Sequence, residues 1–188
     1  PMYYDSMIAK LIVHGKDRND AIAKMREALN GFVIRGISSN IPFQAALLAH
    51  PKFVTGDFNT GFIAENYANG FHAEDVPHAD PDFLVALAGY MNRRYRARAS
   101  GISGQLTGHE VQVGAKFTVV VLGATGDNKH FPIEVTDYDL AKRSSTVTVN
   151  GKTYAITSTA GLGDIRVQGE CNGQAFTAQI ERGTAKNP

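Results

Sequence analysis

The sequence of 188 residues is long enough for one large domain or two small ones, and its hydrophobic fraction of 43% is ordinary for a globular protein. Its 19 Lys and Arg residues nearly balance its 18 Asp and Glu residues, and this net charge of +1 creates no global field that would attract nucleic acid or an anionic membrane. A single cysteine, Cys171, excludes an internal disulfide and an all-cysteine metal site, and without an apolar run of membrane-spanning length the chain is expected to be cytoplasmic.

The first region of the chain alternates between strand and helix patterns. The apolar run from Met7 to Val13 predicts a buried strand, and residues 32–34 predict a second one. Asp17 is placed to cap a helix between them, and further helices are predicted after Asn40 and over residues 60–67. Because two strands alone make a marginal sheet, we expect this region to be a piece of a larger domain.

A linker is predicted at residues 71–80, where prolines, acids and histidines follow one another without periodicity. Some of its side chains are of the types that bind metals: His72, Glu74, Asp75, His78 and Asp80. Acids and histidines in a mobile stretch lack the fixed geometry of a metal site, so we expect no metal to bind here.

A long amphipathic helix is predicted over residues 81–98. Asp80 is placed as its cap and Pro81 as its first residue. Apolar side chains recur at helical spacing in one wide stripe: Phe83, Leu84, Leu87, Tyr90, Met91 and Tyr95. Because such a stripe has to be buried, we expect the following segments to wrap it.

Residues 108–182 change to an alternating pattern that predicts antiparallel strands. Asn-Gly turns predict two hairpins, centred on Asn150–Gly151 and Asn172–Gly173, and a type I′ turn in the first would pair Val149 with Lys152. Two further strands are predicted: Lys116–Leu122 and Phe131–Thr136. The predicted fold class is α+β, with a small αβ region followed by a long helix packed in an antiparallel β-barrel.

Catalytic side chains do not form a recognisable pattern in this sequence. Gly161-Leu-Gly163 begins a glycine fingerprint, but no third glycine or helix follows, so a turn is expected. Cys171 lies on the apolar face beside a hairpin turn and is expected to be buried and unreactive. We therefore assign no catalytic, cofactor-binding or metal-binding residue.

Four arginines end the predicted helix: Arg93, Arg94, Arg96 and Arg98. They could be solvated cations that complement the helix dipole, contacts to nucleic acid, or contacts to another subunit. The first interpretation is favoured because the rest of the chain is not basic, and a nucleic-acid-binding barrel domain stays as the alternative.

One set of residues in the first third of the chain has a specific order and spacing: Tyr3-Tyr4-Asp5-Ser6-Met7, Lys10-Leu11-Ile12, Gly15, Asp17-Arg18, Ala21, Met25, Leu29, Ile34-Arg35-Gly36-Ile37 and Asn40. This set closely resembles the carboxy-terminal end of the biotin carboxylase component of biotin-dependent acyl-CoA carboxylases. The helix and hairpins that follow resemble, by architecture, the BT domain of alpha subunits of the propionyl-CoA type. The resemblance implies that an ATP-grasp body lies upstream.

The resemblance also implies a division of the chain. Residues 1–70 would be the end of a biotin carboxylase domain, 71–80 the linker, and 81–188 a BT domain that connects biotin carboxylase to carboxyltransferase. In that family the segment between helix and barrel, here Ala97–His109, docks against the carboxyltransferase beta subunit. The expected partner contacts are Arg98, Ile102 and Leu106.

The whole enzyme implied by the resemblance is a ligase. It would use ATP, magnesium and bicarbonate to carboxylate biotin, carried on a separate domain of the alpha subunit, and would pass the carboxyl group to propionyl-CoA. Methylcrotonyl-, geranyl- and acetyl-CoA remain alternative substrates. The biotin-accepting Ala-Met-Lys-Met motif and the ATP-binding glycine loop are absent from this sequence. The expected role is therefore that of a fragment which docks a partner, binds none of these cofactors and contacts neither nucleic acid nor membrane.

Overall fold

The computed structural model describes residues 7–72, 75–76, 78–123, 126–181 and 183. The chain divides into two compact units, Pro1–Pro77 and His78–Pro188. Residues 3–6 of the matching set and Glu74 of the predicted linker lie outside the described residues. In the described part of the chain, no helix combines the length and the apolar character needed to cross a membrane.

The first unit contains four helices: α1 (Arg18–Gly31), α2 (Ile41–Ala49), α3 (Pro51–Thr55) and α4 (Phe62–Asn66). The predicted cap of α1 is confirmed, because Asp17 Oδ1 accepts a hydrogen bond from the N–H of Asp20 at 2.8 Å. Gly15 approaches the start of α1 so closely that a Cβ atom would lie 2.3 Å from the backbone nitrogen of Ala21. Only glycine fits at this position.

The core of the first unit is small and partly aromatic. Ile22 and Leu29 of α1 pack with Leu48 of α2. The ring of Phe62 in α4 makes edge contacts with two other rings. Its centroid lies 4.9 Å from that of His50 and 5.8 Å from that of Phe58. Because helices as short as α3 and α4 are unstable alone, this packing keeps them in place.

The two strands predicted for the first unit are not found among the described residues. Residues 7–15 and 32–35 have no regular secondary structure, and the side chains of Met7, Ile8 and Ile12 are 54%, 67% and 83% exposed. A strand needs a hydrogen-bonded neighbour, and no described segment pairs with either stretch. The two-strand prediction is therefore wrong, although the apolar pattern is what a buried strand would have.

The second unit combines one long helix with a six-stranded antiparallel sheet, as the predicted α+β class requires. Helix α5 spans Pro81–Ser100, and the strands follow in chain order: β1 (Lys116–Val121), β2 (Lys129–Asp139), β3 (Ser144–Val149), β4 (Lys152–Ser158), β5 (Arg166–Cys171) and β6 (Gln174–Gln179). Each strand pairs with the next one along the chain, so the sheet is a meander.

Both predicted hairpins are confirmed. Asn150 and Gly151 have φ angles of 49° and 78°, the left-handed values that a type I′ turn needs. The register pairs Val149 with Lys152, as predicted. Asn172–Gly173 forms the second turn in the same way. These turns set which side chains of each strand face α5.

Helix α5 is buried around most of its circumference. Its buried residues are Val85, Ala86, Leu87, Gly89, Tyr90, Met91 and Arg94. At about 100° per residue, these positions cover roughly two-thirds of the helix surface. The predicted stripe holds at Leu87, Tyr90 and Met91 but is wrong at Leu84, which is 43% exposed. Leu84 lies on the remaining face, which the sheet leaves open.

The sheet curls around α5 without closing into a barrel. The rings of Phe83 in α5 and Phe176 in β6 have centroids 5.1 Å apart, and the Arg96 guanidinium lies 5.6 Å from the centroid of Phe117 in β1. One helix thus touches both edge strands, yet the described residues show no pairing between β1 and β6. The predicted closed barrel is corrected to an open, curled sheet. Since a barrel of about eight strands has room only for side chains, six strands are too few to close around a helix.

A polar cluster holds the start of α5 to the β3–β4 turn. The Tyr154 hydroxyl donates to the Asp80 carboxylate, with distances of 3.1 and 2.9 Å to its two oxygens. Lys152 Nζ lies 2.9 Å from Asp82 Oδ2, and Asn150 Nδ2 donates to Asp82 Oδ1 at 2.9 Å. Asp80 occupies the predicted cap position but makes no capping hydrogen bond, because its carboxylate faces the hairpin.

The Tyr154 contact predicts a loss of stability at alkaline pH. Burial, with the hydrogen bond to Asp80, raises the pKa of Tyr154 from 10.0 to about 12. The unfolded chain therefore releases this proton first, and the free energy of unfolding should fall as pH rises from 10 to about 12. Tyr154→Phe should flatten this fall in urea unfolding measured across that range.

Tyr138→Phe is the matched control, since the Tyr138 hydroxyl has no hydrogen-bond partner among the described residues. It should keep the alkaline slope of the wild-type chain. An equal slope in all three proteins would contradict the assigned role of the Tyr154 contact.

Candidate partner-docking loop

The α5–β1 loop, residues 101–115, connects the buried helix to the first strand and has no regular secondary structure. Helix α5 ends where the Gly101 N–H donates to two carbonyls of the last turn, each at 3.2 Å. The loop then turns at Gly104 and Gly108, both with φ of +83°, a left-handed value that favours glycine. The start of the loop is thus fixed to the end of α5.

The residues predicted to contact a partner lie on this loop and on the turn before it. Ile102 and Leu106 are 64% and 72% exposed. Arg98 is exposed in the last turn of α5, and its side chain makes no hydrogen bond, ion pair or ring contact with the rest of the described chain. Covering large apolar side chains with a partner removes them from water, which is favourable. These residues are therefore suited to binding.

Hydrogen bonds within the loop limit its freedom. The His109 N–H donates to the carbonyl of Leu106 at 2.9 Å. The Gly108 N–H lies 3.1 Å from both carboxylate oxygens of Glu110. Hydrogen bonds from the Glu110 and Gly108 N–H groups hold the pKa of the Glu110 carboxyl below its usual value. The carboxylate is therefore charged at neutral pH and able to hold the turn.

The arginine cluster is mostly engaged within the molecule. The Arg93 guanidinium lies 4.3 Å from the ring centroid of Tyr138 in β2, and Arg96 lies over Phe117 of β1. Such cation–π contacts attach the end of the helix to the sheet. Arg96 and Arg98 are nonetheless exposed, as predicted for solvated helix-end cations, whereas Arg93 is half-buried.

Arg94 is buried, with 5% of its surface exposed. Its Nη2 donates to the carbonyl of Ala160 at 2.6 Å, and its guanidinium lies 5.6 Å from the ring centroid of Tyr90. The sequence did contain a signal for this burial, because helical spacing puts Arg94 on the face of Leu87 and Tyr90. The four arginines are therefore not one group, since Arg94 belongs to the buried face and Arg98 to the exposed one.

The other residues considered as candidate sites are Cys171, the possible metal ligands and residues 161–163. Cys171 is half-buried, and burial raises the pKa of its thiol, which disfavours the reactive thiolate. The described residues contain no group of three His, Cys, Asp or Glu side chains that could hold a metal ion. Residues 162–163 form the expected turn. The α5–β1 loop is the best-defined candidate site.

Buried and exposed arginines should respond differently to substitution. Arg94→Met keeps apolar volume but removes the 2.6 Å hydrogen bond to the Ala160 carbonyl and leaves it only the longer one, 3.5 Å, from Arg143. It should lower the free energy of unfolding by about 1–3 kcal/mol. Arg98→Ala, the exposed control, should leave that free energy nearly unchanged. Urea unfolding of both variants checks this. Equal effects would contradict the structural role of Arg94.

Family comparisons assign both halves of the chain. Residues 1–65 match the family described as the biotin carboxylase C-terminal domain. Residues 84–186 match the family described as the propionyl-coenzyme A carboxylase BT domain. The order of the two matches agrees with the resemblance in the sequence.

Curated relatives carry matching names. The propionyl-CoA carboxylase alpha chain of Ruegeria pomeroyi is 39% identical over 165 residues, which cover 87% of this chain and 23% of the relative. The mitochondrial propionyl-CoA carboxylase alpha chain of Caenorhabditis elegans is 30% identical over 185 residues, covering 95% and 26%. Biotin carboxylase 1 of Bacillus subtilis is 59% identical over 63 residues, covering 34% and 14%. The chain thus spans about a quarter of the length of these alpha chains.

With more than half of its residues matched by one family, the chain belongs to the propionyl-coenzyme A carboxylase BT domain family.

Proposed function

We propose that this chain supplies the docking unit of the alpha subunit of a biotin-dependent acyl-CoA carboxylase, and that its α5–β1 loop binds the carboxyltransferase beta subunit. The main support is the exposure of Ile102 and Leu106, at 64% and 72%, on a loop that starts from a buried helix. Arg98 adds a cation beside them, and arginine is favoured at protein interfaces.

The reaction of the whole enzyme is part of the same proposal. Biotin would be carboxylated with ATP, magnesium and bicarbonate, and the carboxyl group would pass to propionyl-CoA. The names of the relatives from Ruegeria pomeroyi and Caenorhabditis elegans support propionyl-CoA over methylcrotonyl-, geranyl- or acetyl-CoA. The residues of this chain would position the subunits relative to one another and would take no part in the chemical steps. The enzyme would act in the cytoplasm.

The proposed division of the chain places the end of a biotin carboxylase domain at residues 1–70, a linker at 71–80 and the BT domain at 81–188. The split of the chain into units after Pro77 and the two family matches support this division. Within the BT domain, α5 and the curled sheet would act as one rigid base for the loop.

The alternative of a nucleic-acid-binding domain is not favoured. Arg93 and Arg96 lie over aromatic rings, and Arg94 is buried. Phosphate binding needs several cations that face solvent together, and at this helix end only Arg96 and Arg98 are exposed among the four arginines.

Substitutions on the loop should weaken partner binding without unfolding the chain. Ile102→Asp and Leu106→Asp each place a charge where an apolar contact is proposed, and each should raise the Kd for a propionyl-CoA carboxylase beta subunit about tenfold or more. Size-exclusion chromatography and titration calorimetry with the full chain measure this effect.

Leu140→Asp is the matched control. Leu140 is 71% exposed in the turn between β2 and β3, so its substitution should change neither binding nor melting temperature. If the wild-type chain does not bind the beta subunit at low or moderate salt, the docking proposal is wrong. Lower melting temperatures for the Ile102 and Leu106 variants would instead show that these side chains stabilise the fold.

A further inference from the structure

Gln105 differs from its neighbours in the α5–β1 loop. It is half-buried, while the two residues on either side of it are exposed. Its side chain makes three hydrogen bonds to the backbone of the same loop. Nε2 donates to the carbonyl of Ser100 at 2.6 Å and to that of Ile102 at 2.9 Å, and Oε1 accepts from the N–H of Val111 at 2.7 Å.

These three bonds connect the start of the loop to the segment beyond its second glycine turn. Ser100 is the last residue of α5, and Val111 follows the second glycine turn. A single amide therefore holds the helix end against the segment that leads to β1. Ile102 and Leu106 lie on the stretch between these attachment points, and their side chains remain exposed.

The chemistry requires an amide at this position. Only Asn and Gln offer two N–H donors and a carbonyl acceptor on one side chain, and Gln has the longer reach. A carboxylate would keep the acceptor for Val111 but would place negative oxygens against the two carbonyls. An apolar side chain of similar size would leave all three backbone groups without this partner.

We propose that Gln105 is a positioning residue which holds the α5–β1 loop in its binding conformation before the partner arrives. The inference rests on the proposed docking function. Ordering a loop in advance removes part of the entropy cost of association. Gln105 thus acts on affinity through Ile102 and Leu106, without contacting the partner itself.

The test compares Gln105→Leu and Gln105→Glu with Gln112→Ala in the full chain. Gln112 is an exposed glutamine of the same loop whose side chain makes no hydrogen bond to the described residues, so it is the matched control. Amide hydrogen exchange reports on the Val111 N–H, calorimetry gives the Kd for the carboxyltransferase beta subunit, and thermal unfolding reports on the fold.

Both Gln105 variants should exchange the Val111 amide faster and bind about tenfold more weakly, with Gln105→Glu the weaker binder. Melting temperatures should stay at the wild-type value, and Gln112→Ala should match the wild type throughout. If the wild-type chain binds and the Gln105 variants bind equally well, this inference is overturned while the docking function stands. If the wild-type chain does not bind, both are overturned. A lower melting temperature for both variants would give Gln105 a role in the fold and overturn the positioning role.

Discussion

The burial of one helix by one sheet is the constraint on which the second unit depends. Ala86 and Tyr90 of α5 have no exposed surface, and neither do Val147 of β3 and Ile156 of β4, which belong to the same core. A helix in a globular protein takes most of its stability from the packing of its apolar face, and a single sheet with one apolar face needs a second layer. Each element therefore supplies the burial that the other lacks.

This packing determines where the proposed docking loop stands. Arg94 reaches across the core to the carbonyl of Ala160, which follows β4, and Arg93 and Arg96 attach the same turns to β2 and β1. The C-terminal end of α5 is thus fixed on several sides, and the loop begins from a rigid point. Arg93 and Arg94, which sequence alone assigns to solvent, instead help to orient the segment that carries Ile102.

Features set by local chemistry could be predicted from the sequence. The Asn150–Gly151 turn and the alternation beside it specify the register of β3 and β4, and Asp17 specifies the start of α1. Pairing between distant segments is not local, so the apolar run at 7–13 predicts a strand that finds no partner in the described chain. Barrel closure likewise depends on whether the number of strands is large enough to surround the helix. The alternating pattern of apolar residues carries no information about this.

The candidate site was predictable in part. Ile102 and Leu106 follow from the family resemblance, and their exposure suits the role, which remains a prediction. Gln105 could not be found from the sequence, because a lone glutamine between two glycines has no pattern. Its role depends on carbonyls and an N–H that the loop brings together only after folding.

Amide hydrogen exchange along α5 tests the central claim most directly. If the sheet and the helix form one cooperative core, the amides of residues 85–94 should exchange as slowly as those of β3, through global unfolding. Fast exchange in α5 while β3 remains protected would contradict this account, because the helix would then be detachable and could not serve as a rigid base for the loop.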